Sequence, residues 1–170
     1  MNALMPLVYD EIIKIAVPHF RDESRSHTLE GAAIVNEVYL KLLQYAPSRI
    51  ENRKHFYAIA ARSVRQVLVD YLKRSRAAKR GAEFRRITLD GSRISDPTNV
   101  VSQIDLLTLH ECIEKLETLH VRQARLADLR LFSGLNLEES AEALGVSART
   151  IDTDWKMARA WLVRELSRAG

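Results

Sequence analysis

Apolar side chains recur along most of the chain at intervals of three and four residues, which places them on one face of an α-helix. The strict alternation of apolar and polar residues that marks a strand is nearly absent. The predicted helices cover residues 4–20, 29–45, 53–80 and 121–132, with another beginning near Ser102 and a helical pair within 136–166. The pattern therefore predicts an all-α fold.

One stretch interrupts this periodicity. Residues 81–101 contain Gly81, Gly91 and Pro97 with several serines, and they show no sustained period, so they are predicted to be a flexible linker. A short strand-like sequence, RRITL, lies within this stretch, and no structure is assigned to it. The chain is thus predicted to form two small helical domains, residues 1–80 and 102–170, joined by the linker.

The sequence LNLEESAEALGVSART predicts a helix-turn-helix near the C-terminus. Asn136 and Glu139 have the spacing of a capping pair at the start of a short helix. Gly145 tolerates the positive φ of a sharp turn, Val146 can fill the corner, and the Ser147 hydroxyl can cap the next helix.

The second helix of this motif has two distinct faces. The apolar stripe, predicted to be buried, consists of Ile151, Trp155, Ala158 and Leu162. The opposite face carries Arg149, Thr153, Lys156 and Ala160, with Asp152 beside them. Cations, a hydroxyl and a carboxylate suit phosphates and base edges in a major groove, so we expect DNA binding here. The alternative is a solvated face on an ordinary helical hairpin.

A second cationic surface is predicted on the long helix of residues 53–80. Its apolar face consists of Phe56, Ala60, Ser63, Val64, Val67 and Tyr71, and its opposite face of Arg62, Arg65, Lys73, Arg76 and Arg80. Residues 53–86 contain eleven Lys or Arg against Asp70 and Glu83, a net charge of +9, whereas the rest of the chain sums to −5. A one-signed stripe of this length should attract a phosphate backbone, although such stripes are more often simply solvated.

The composition of the chain limits the classes of function that are expected of it. The 170 residues carry a net charge of +4, which favours an anionic partner. No apolar run is long enough to cross a bilayer and the N-terminus lacks signal-peptide features, so a cytoplasmic protein without membrane contact is expected.

Cys112 lies on a helical apolar stripe and is predicted to be a buried thiol. The five histidines lack metal-ligand spacing and no catalytic constellation is evident, so neither a metal, a cofactor nor an enzyme is expected.

Three motifs in order along the chain resemble the extracytoplasmic-function (ECF, group IV) sigma factors, the promoter-recognising subunits of bacterial RNA polymerase. They are AIVNEVYLKLL at residues 33–43, HFYAIAARSVRQVLVDYLKR at 55–74 and SAEALGVSARTIDTDWKMARAWL at 140–162. The sequences of the first two motifs are most similar to those of a subgroup common in planctomycetes and some proteobacteria. The resemblance covers nearly all of the chain outside the linker, and it implies a sigma region 2 three-helix domain followed by a sigma region 4 helix-turn-helix domain.

The resemblance also implies roles for individual residues. Asn36, Glu37, Tyr39 and Lys41 would contact the clamp of core RNA polymerase. Contacts to the minus-ten element would come from Asn52, Arg53, Lys54, Arg62, Arg65, Lys73 and Arg76, with Phe56 and Tyr57 nearby. Phe56 is nevertheless predicted to be a core residue. Contacts to the minus thirty-five element would come from Ser147, Arg149, Asp152, Thr153 and Lys156.

The sequence departs from the family's pattern just before the clamp motif at residues 33–43, where members usually carry several carboxylates. Here Glu30 is followed by Gly31, Ala32 and Ala33, so a single acid remains and affinity for the clamp is expected to be weak. Our hypothesis is that a Ser/Thr protein kinase restores the charge by phosphorylating Thr28, before Ser26 or Ser24. The alternative is that Thr28 only caps the helix. An anti-sigma factor is the other candidate regulator.

A second departure concerns the recognition helix. Asp152 and Asp154 make it less basic than in other members, so DNA binding is expected to depend on the polymerase tether. Two rivals to a sigma factor remain: a dimeric helix-turn-helix regulator that binds operators alone, and a nucleic-acid-processing enzyme, for which the sequence offers no acid or metal cluster.

Overall fold

The computed structural model describes residues 10–14, 27–44, 52–78, 86–87 and 104–169. Residues 10–14 are helical and are called α1. The other helices are α2 (His27–Gln44), α3 (Arg53–Ala78), α4 (Leu106–Leu119), α5 (Val121–Asp128), α6 (Leu137–Leu144) and α7 (Ala148–Ala169). A π-helical turn, Leu129–Ser133, continues α5. The prediction of an all-α fold is confirmed.

A two-residue ladder is the exception to helix in the described chain. β1 (Arg86–Ile87) pairs antiparallel with β2 (Ile104–Asp105), in the register Arg86 to Asp105 and Ile87 to Ile104. The strand-like sequence RRITL thus contributes one strand, and the rest of the predicted linker lies outside the described residues. The helix expected near Ser102 begins at Leu106, immediately after β2.

The long helix α3 is the centre of the structure. It packs on α2 and also on α4, α5, the π-helical turn and α6. The predicted apolar face is buried from Phe56 to Val67, but so are Ala61, Arg65, Leu68, Val69 and Leu72. Because buried residues lie all round this helix, α3 is enclosed rather than amphipathic. The two predicted helical units are therefore packed against each other through α3 and share one apolar core.

Helix boundaries agree with the sequence where local caps define them. The helix predicted at residues 121–132 is α5 with its π-helical turn, and it ends at Gly134 with a φ of 68°. Thr28 is the exception, because α2 begins at His27 and places Thr28 in the first turn rather than at the cap position. Of the predicted first helix, residues 10–14 are described.

The helix-turn-helix forms as its caps predict. Asn136 Oδ1 accepts from the Glu139 amide at 2.8 Å, and Glu139 Oε2 accepts from the Asn136 amide at 2.8 Å, which completes a capping box. Gly145 adopts a φ of 67° and ends α6. Val146 packs partly buried against the core, and Ser147 Oγ accepts from the Thr150 amide at 3.2 Å at the start of α7.

We predict that Gly145→Ala lowers the free energy of unfolding by about 1–2 kcal/mol, the cost of a left-handed conformation for a residue with a Cβ. Nothing lies within 4 Å of the position of that Cβ, so the loss is conformational rather than steric. Gly145→Asn, which tolerates this conformation better, should lose less. Urea unfolding followed by circular dichroism compares the two variants, and equal losses would contradict this account of the turn.

Candidate nucleic-acid interface

The inner face of α7 fixes the orientation of the recognition helix. Ile151, Trp155, Ala158 and Leu162 are all buried, as their spacing predicts. The Arg130 guanidinium lies over the Trp155 ring with its Cζ 5.2 Å from the ring centroid. This cation–π contact joins the π-helical turn to α7, so Trp155 has a packing role and is closed to stacking on bases.

The outer face of α7 presents the residues predicted to contact DNA. Arg149, Thr153 and Lys156 are exposed, and Asp152 is half-exposed. The Thr153 hydroxyl donates to the Arg149 carbonyl at 3.0 Å, and Lys156 Nζ lies 2.7 Å from Asp152 Oδ2. Because both contacts are exposed and lie within one helix, bases or phosphates can replace them at low cost.

The second aspartate of this helix, Asp154, faces the interior. Its carboxylate is buried and pairs with Arg122 of α5, with Nε 2.5 Å from Oδ2 and Nη2 3.3 Å from Oδ1. The expectation that Asp154 reduces the positive charge of the DNA-facing surface is therefore wrong. Asp154 instead ties α7 to α5, and the outer face carries Asp152 as its acid.

Arg65 is the residue whose position differs most from the predicted interface. Its side chain is fully buried, so the prediction that it lies on an exposed cationic face is wrong. Arg65 Nε donates to Asp128 Oδ1 at 2.6 Å, and Nη2 donates to Asp128 Oδ2 at 3.3 Å. Nη1 lies 2.9 Å from Glu114 Oε1 and 2.6 Å from His110 Nδ1. All three partners belong to α4 and α5, so this cluster joins the two helical units.

The electrostatics of the cluster follow from its burial. Burial raises the pKa of Asp128 to about 6, although the Arg65 guanidinium acts in the opposite direction. Burial and the Arg65 charge both lower the pKa of His110. His110 is accordingly neutral at pH 7, and its Nδ1 accepts from the guanidinium. Near neutral pH the cluster thus pairs an arginine with ionised Asp128 and Glu114.

The rest of the α3 stripe is more accessible. Arg62 Nη1 lies 2.7 Å from Glu117 Oε1 of α4, and the Arg62 side chain retains 42% of its exposure. Lys73 is exposed. The side chain of Arg76 and all of Arg80 lie outside the described part of the structure. Of the predicted stripe, Lys73 is thus open to solvent, while Arg62 and Arg65 are held by carboxylates of the second unit.

The start of α3 presents a second group of predicted DNA contacts. Asn52, Arg53 and Lys54 are exposed, and Asn52 Oδ1 accepts from the His55 amide at 2.9 Å. Arg53 Nη2 donates to the Tyr57 hydroxyl at 3.3 Å, which in turn donates to Glu11 Oε2 of α1 at 2.6 Å. The cap and this chain of hydrogen bonds hold one end of α3 in a fixed position.

Next to them, Phe56 is buried, which confirms its predicted core position. Partial burial and the hydrogen bond to Glu11 raise the pKa of Tyr57. The phenol therefore stays protonated and acts as a hydrogen-bond donor at physiological pH.

Of the residues expected at the polymerase contact, two pair with α3. Glu37 of α2 accepts from Arg74 Nη2 at 3.0 and 3.2 Å, and Lys41 Nζ lies 3.3 Å from Asp70 Oδ2. Asn36 is exposed and Tyr39 is half-buried on the same helix. These ion pairs fix α2 on α3 while they keep the polar side of α2 at the surface.

Three features of the described residues bear on other functions. Among the described residues, no three His, Cys, Asp or Glu side chains come together in a group that could hold a metal ion. No helix of the described part is long and apolar enough to span a membrane. Cys112 is buried, as its position on the stripe predicts, and burial raises the pKa of its thiol.

A capped helix-turn-helix with an exposed cationic recognition face, joined to a second helical unit that presents cations, defines a DNA-binding transcription protein. The family model for ECF sigma factors matches residues 1–168, and the chain belongs to that family. Sigma factors act in transcription initiation with RNA polymerase and promoter DNA. Comparison with curated proteins and with solved structures gave no match.

We predict that Asp128→Asn lowers the free energy of unfolding by about 3–5 kcal/mol, because it leaves the buried Arg65 charge without its counter-ion. Asp152→Asn is the matched control. It also breaks an aspartate ion pair, but that carboxylate is 49% exposed whereas Asp128 is 6% exposed. The control should change stability by about 0.5 kcal/mol or less.

Urea unfolding followed by tryptophan fluorescence measures both variants, since Trp155 and Trp161 lie in the same unit as the two aspartates. Similar losses for the buried and the exposed pair would show that the Arg65 cluster does not hold the fold together.

Proposed function

We propose that this protein directs RNA polymerase to promoters by reading two DNA elements with its two helical units and by assisting promoter melting. The observation that carries the proposal is the outer face of α7, where Arg149, Thr153 and Lys156 stand exposed on a capped helix-turn-helix. On this proposal the protein has no catalytic site of its own and acts as a regulatory subunit.

The α7 face would read the upstream, minus thirty-five element in the major groove. Arg149 and Lys156 supply donors for phosphate or guanine, and Asp152 can accept from cytosine. The Thr153 hydroxyl can donate to a phosphate or a base acceptor, or accept from a base amine. Ser147, exposed at the start of α7, lies where phosphate contacts form at a helix N-terminus. The fixed inner face of α7 supports this proposal, because it orients the outer side chains before DNA binds.

The beginning of α3 would approach the minus-ten element. Asn52, Arg53 and Lys54 offer amide and cationic groups to a single strand, which presents unpaired base edges and backbone charge. Lys73 is exposed further along the helix and extends this cationic surface, and Arg76 follows it in the sequence as a further proposed contact. Arg62 and Arg65 can join it only after the carboxylates of α4 and α5 release them.

The exposed side of α2, with Asn36, Glu37, Tyr39 and Lys41, is the proposed contact with the polymerase clamp. The ion pairs of Glu37 and Lys41 with α3 support this assignment, because a contact on a fixed helix transmits the position of the polymerase to α3. Control by an anti-sigma factor or by a kinase belongs to the same proposal.

Run-off transcription with purified core polymerase, with and without the protein, tests the proposed function. Arg149→Ala should weaken discrimination at particular upstream base pairs by about 1–3 kcal/mol. Arg168→Ala is a matched control, because Arg168 lies in the last turn of the same helix, about 28 Å further along its axis. An Arg149→Ala variant with unchanged base preference would refute the assignment of this face.

Modification of Thr28 is the second test. Thr28 lies in the first turn of α2, where a phosphate would add about two negative charges to the positive end of the helix. Thr28→Glu should bind core polymerase more tightly than Thr28→Ala, as measured by fluorescence anisotropy of the labelled protein.

Ser167→Glu controls for net charge, since it adds the same charge near the end of α7. Equal binding of Thr28→Ala and Thr28→Glu, together with equal transcription in the presence of the kinase, would exclude the switch.

A further inference from the structure

Arg122 is held by a buried carboxylate and is nevertheless open to solvent. The Asp154 side chain that it binds is 8% exposed, whereas the Arg122 side chain is 52% exposed. Nε donates to Asp154 Oδ2 at 2.5 Å and Nη2 donates to Oδ1 at 3.3 Å, which occupies the inner edge of the guanidinium. Within the described part of the chain, no group accepts from Nη1. The outer edge, formed by Nη1 and the second N–H of Nη2, is thus available to another partner.

We propose that Arg122 is a phosphate-binding residue beside the recognition helix and that Asp154 is the residue that positions it. The guanidinium would use its inner edge on the carboxylate and its outer edge on a phosphate of the upstream duplex. The inference rests on the proposed function, because it takes α7 to lie in the major groove of the minus thirty-five element.

The place of Asp154 on α7 directs Arg122 to the border of the proposed DNA face. Successive residues of an α-helix are about 100° apart, so Asp154 lies between the buried stripe at Ala158 and the exposed positions Thr153 and Met157. An arginine that binds Asp154 from α5 therefore emerges next to the exposed side of α7 and not behind it.

A cation at this border faces a DNA backbone when the helix occupies a major groove. An α-helix with its side chains is about 10–12 Å wide, close to the roughly 12 Å width of that groove. The outer face of the helix consequently meets base edges, and its flanks meet phosphates. Phosphate contacts of this kind fix the orientation of a protein on the duplex, whereas base contacts supply the sequence preference.

The pair has the chemistry that such a contact requires. A guanidinium forms paired, charge-assisted hydrogen bonds to carboxylates and to phosphates alike. Arg65 is the contrasting case, because its side chain is 1% exposed and each of its three nitrogens has a protein partner. Arg122 also binds a buried aspartate, but it keeps donors that point away from the protein interior.

Pairing with Asp154 prepares Arg122 for a phosphate. A free arginine side chain loses conformational freedom when it binds, and a carboxylate that already holds the guanidinium removes part of that loss. Because the carboxylate is buried and the guanidinium is exposed, the surface presents the positive partner of the pair. Asp154 thus strengthens DNA binding although its charge is negative, which is the opposite of what net charge alone predicts.

The experiment uses the full chain assembled with core polymerase, and a duplex that this holoenzyme selects from a random pool. Copies of the duplex each carry one methylphosphonate, which removes the charge of a single phosphate, at successive positions around the upstream element. Arg122→Ala is compared with Arg125→Ala, which removes the same charge from an exposed position one turn further along α5.

The wild type and Arg125→Ala should both lose about tenfold in affinity at one methylphosphonate position to which Arg122→Ala does not respond. On the unmodified duplex, Arg122→Ala should bind about tenfold more weakly than the wild type. Its plot of log K against log salt should be less steep by about 1. Its base preference should stay unchanged, because a phosphate contact carries no sequence information.

Asp154→Asn tests the positioning role. It makes the protein more positive, yet it should bind the unmodified duplex more weakly than the wild type and lose most of the response at the same phosphate. Glu142→Gln is the control, since it removes an acid from an exposed position of the same helix-turn-helix and should bind at least as tightly as the wild type. Circular dichroism at the assay temperature checks that Asp154→Asn is folded.

Arg122→Lys provides the same comparison with a change at an exposed side chain. The lysine keeps the charge but lacks the planar fork, so it cannot hold the carboxylate and a phosphate on separate edges. It should therefore show a smaller response at the critical phosphate than the wild type.

The proposal is overturned if Arg122→Ala responds to every methylphosphonate as the wild type does, because the arginine would then only join α5 to α7. The positioning role fails if Asp154→Asn and Arg122→Lys both bind as tightly as Glu142→Gln. A failure of the proposed function looks different. The holoenzyme would then select no sequence from the pool, and the inference would fall with it.

Discussion

The buried charge of Arg65 is the constraint on which the rest of the structure depends. A guanidinium can be fully buried only if most of its donors are satisfied, and here Asp128, Glu114 and His110 satisfy them. These partners lie on α4 and α5, so the requirement fixes how the second unit sits on α3. Apolar packing supplies adhesion on every side of α3, but it is not directional. The ion cluster is directional, so it fixes which residues of α4 and α5 face α3.

This constraint explains why α3 belongs to both units. On one side it packs against α2, to which ion pairs at Glu37 and Lys41 also attach it. On the other sides it contacts α4, α5, the π-helical turn and α6. The helix-turn-helix is therefore connected to the helix that bears the proposed minus-ten residues, and side-chain contacts set its position relative to that helix.

Features that depend on local chemistry could be predicted from the sequence. The capping box at Asn136, the turn at Gly145 and the buried stripe of α7 each follow from residues within one or two turns of one another. Arg65 and Asp154 could not be assigned, because spacing places them on a helix while their counter-ions come from other helices. A signal for Arg65 was present in the run from Ala60 to Leu72, where apolar residues fall on more than one face of the helix. A helix of that kind is covered on several sides, so a charge within it must be paired.

The division of labour on α7 has a consequence for how such proteins diversify. Its structural contacts, including the Arg130–Trp155 stack and the Arg122–Asp154 pair, lie on the inner side. The outer side chains are joined to each other only by weak contacts within the helix. On the proposed role of this face in reading promoter DNA, mutations that retarget the protein to other genes are thus almost free of folding penalties. A duplicated copy can acquire a separate regulon by drifting at a few surface positions while its scaffold stays unchanged.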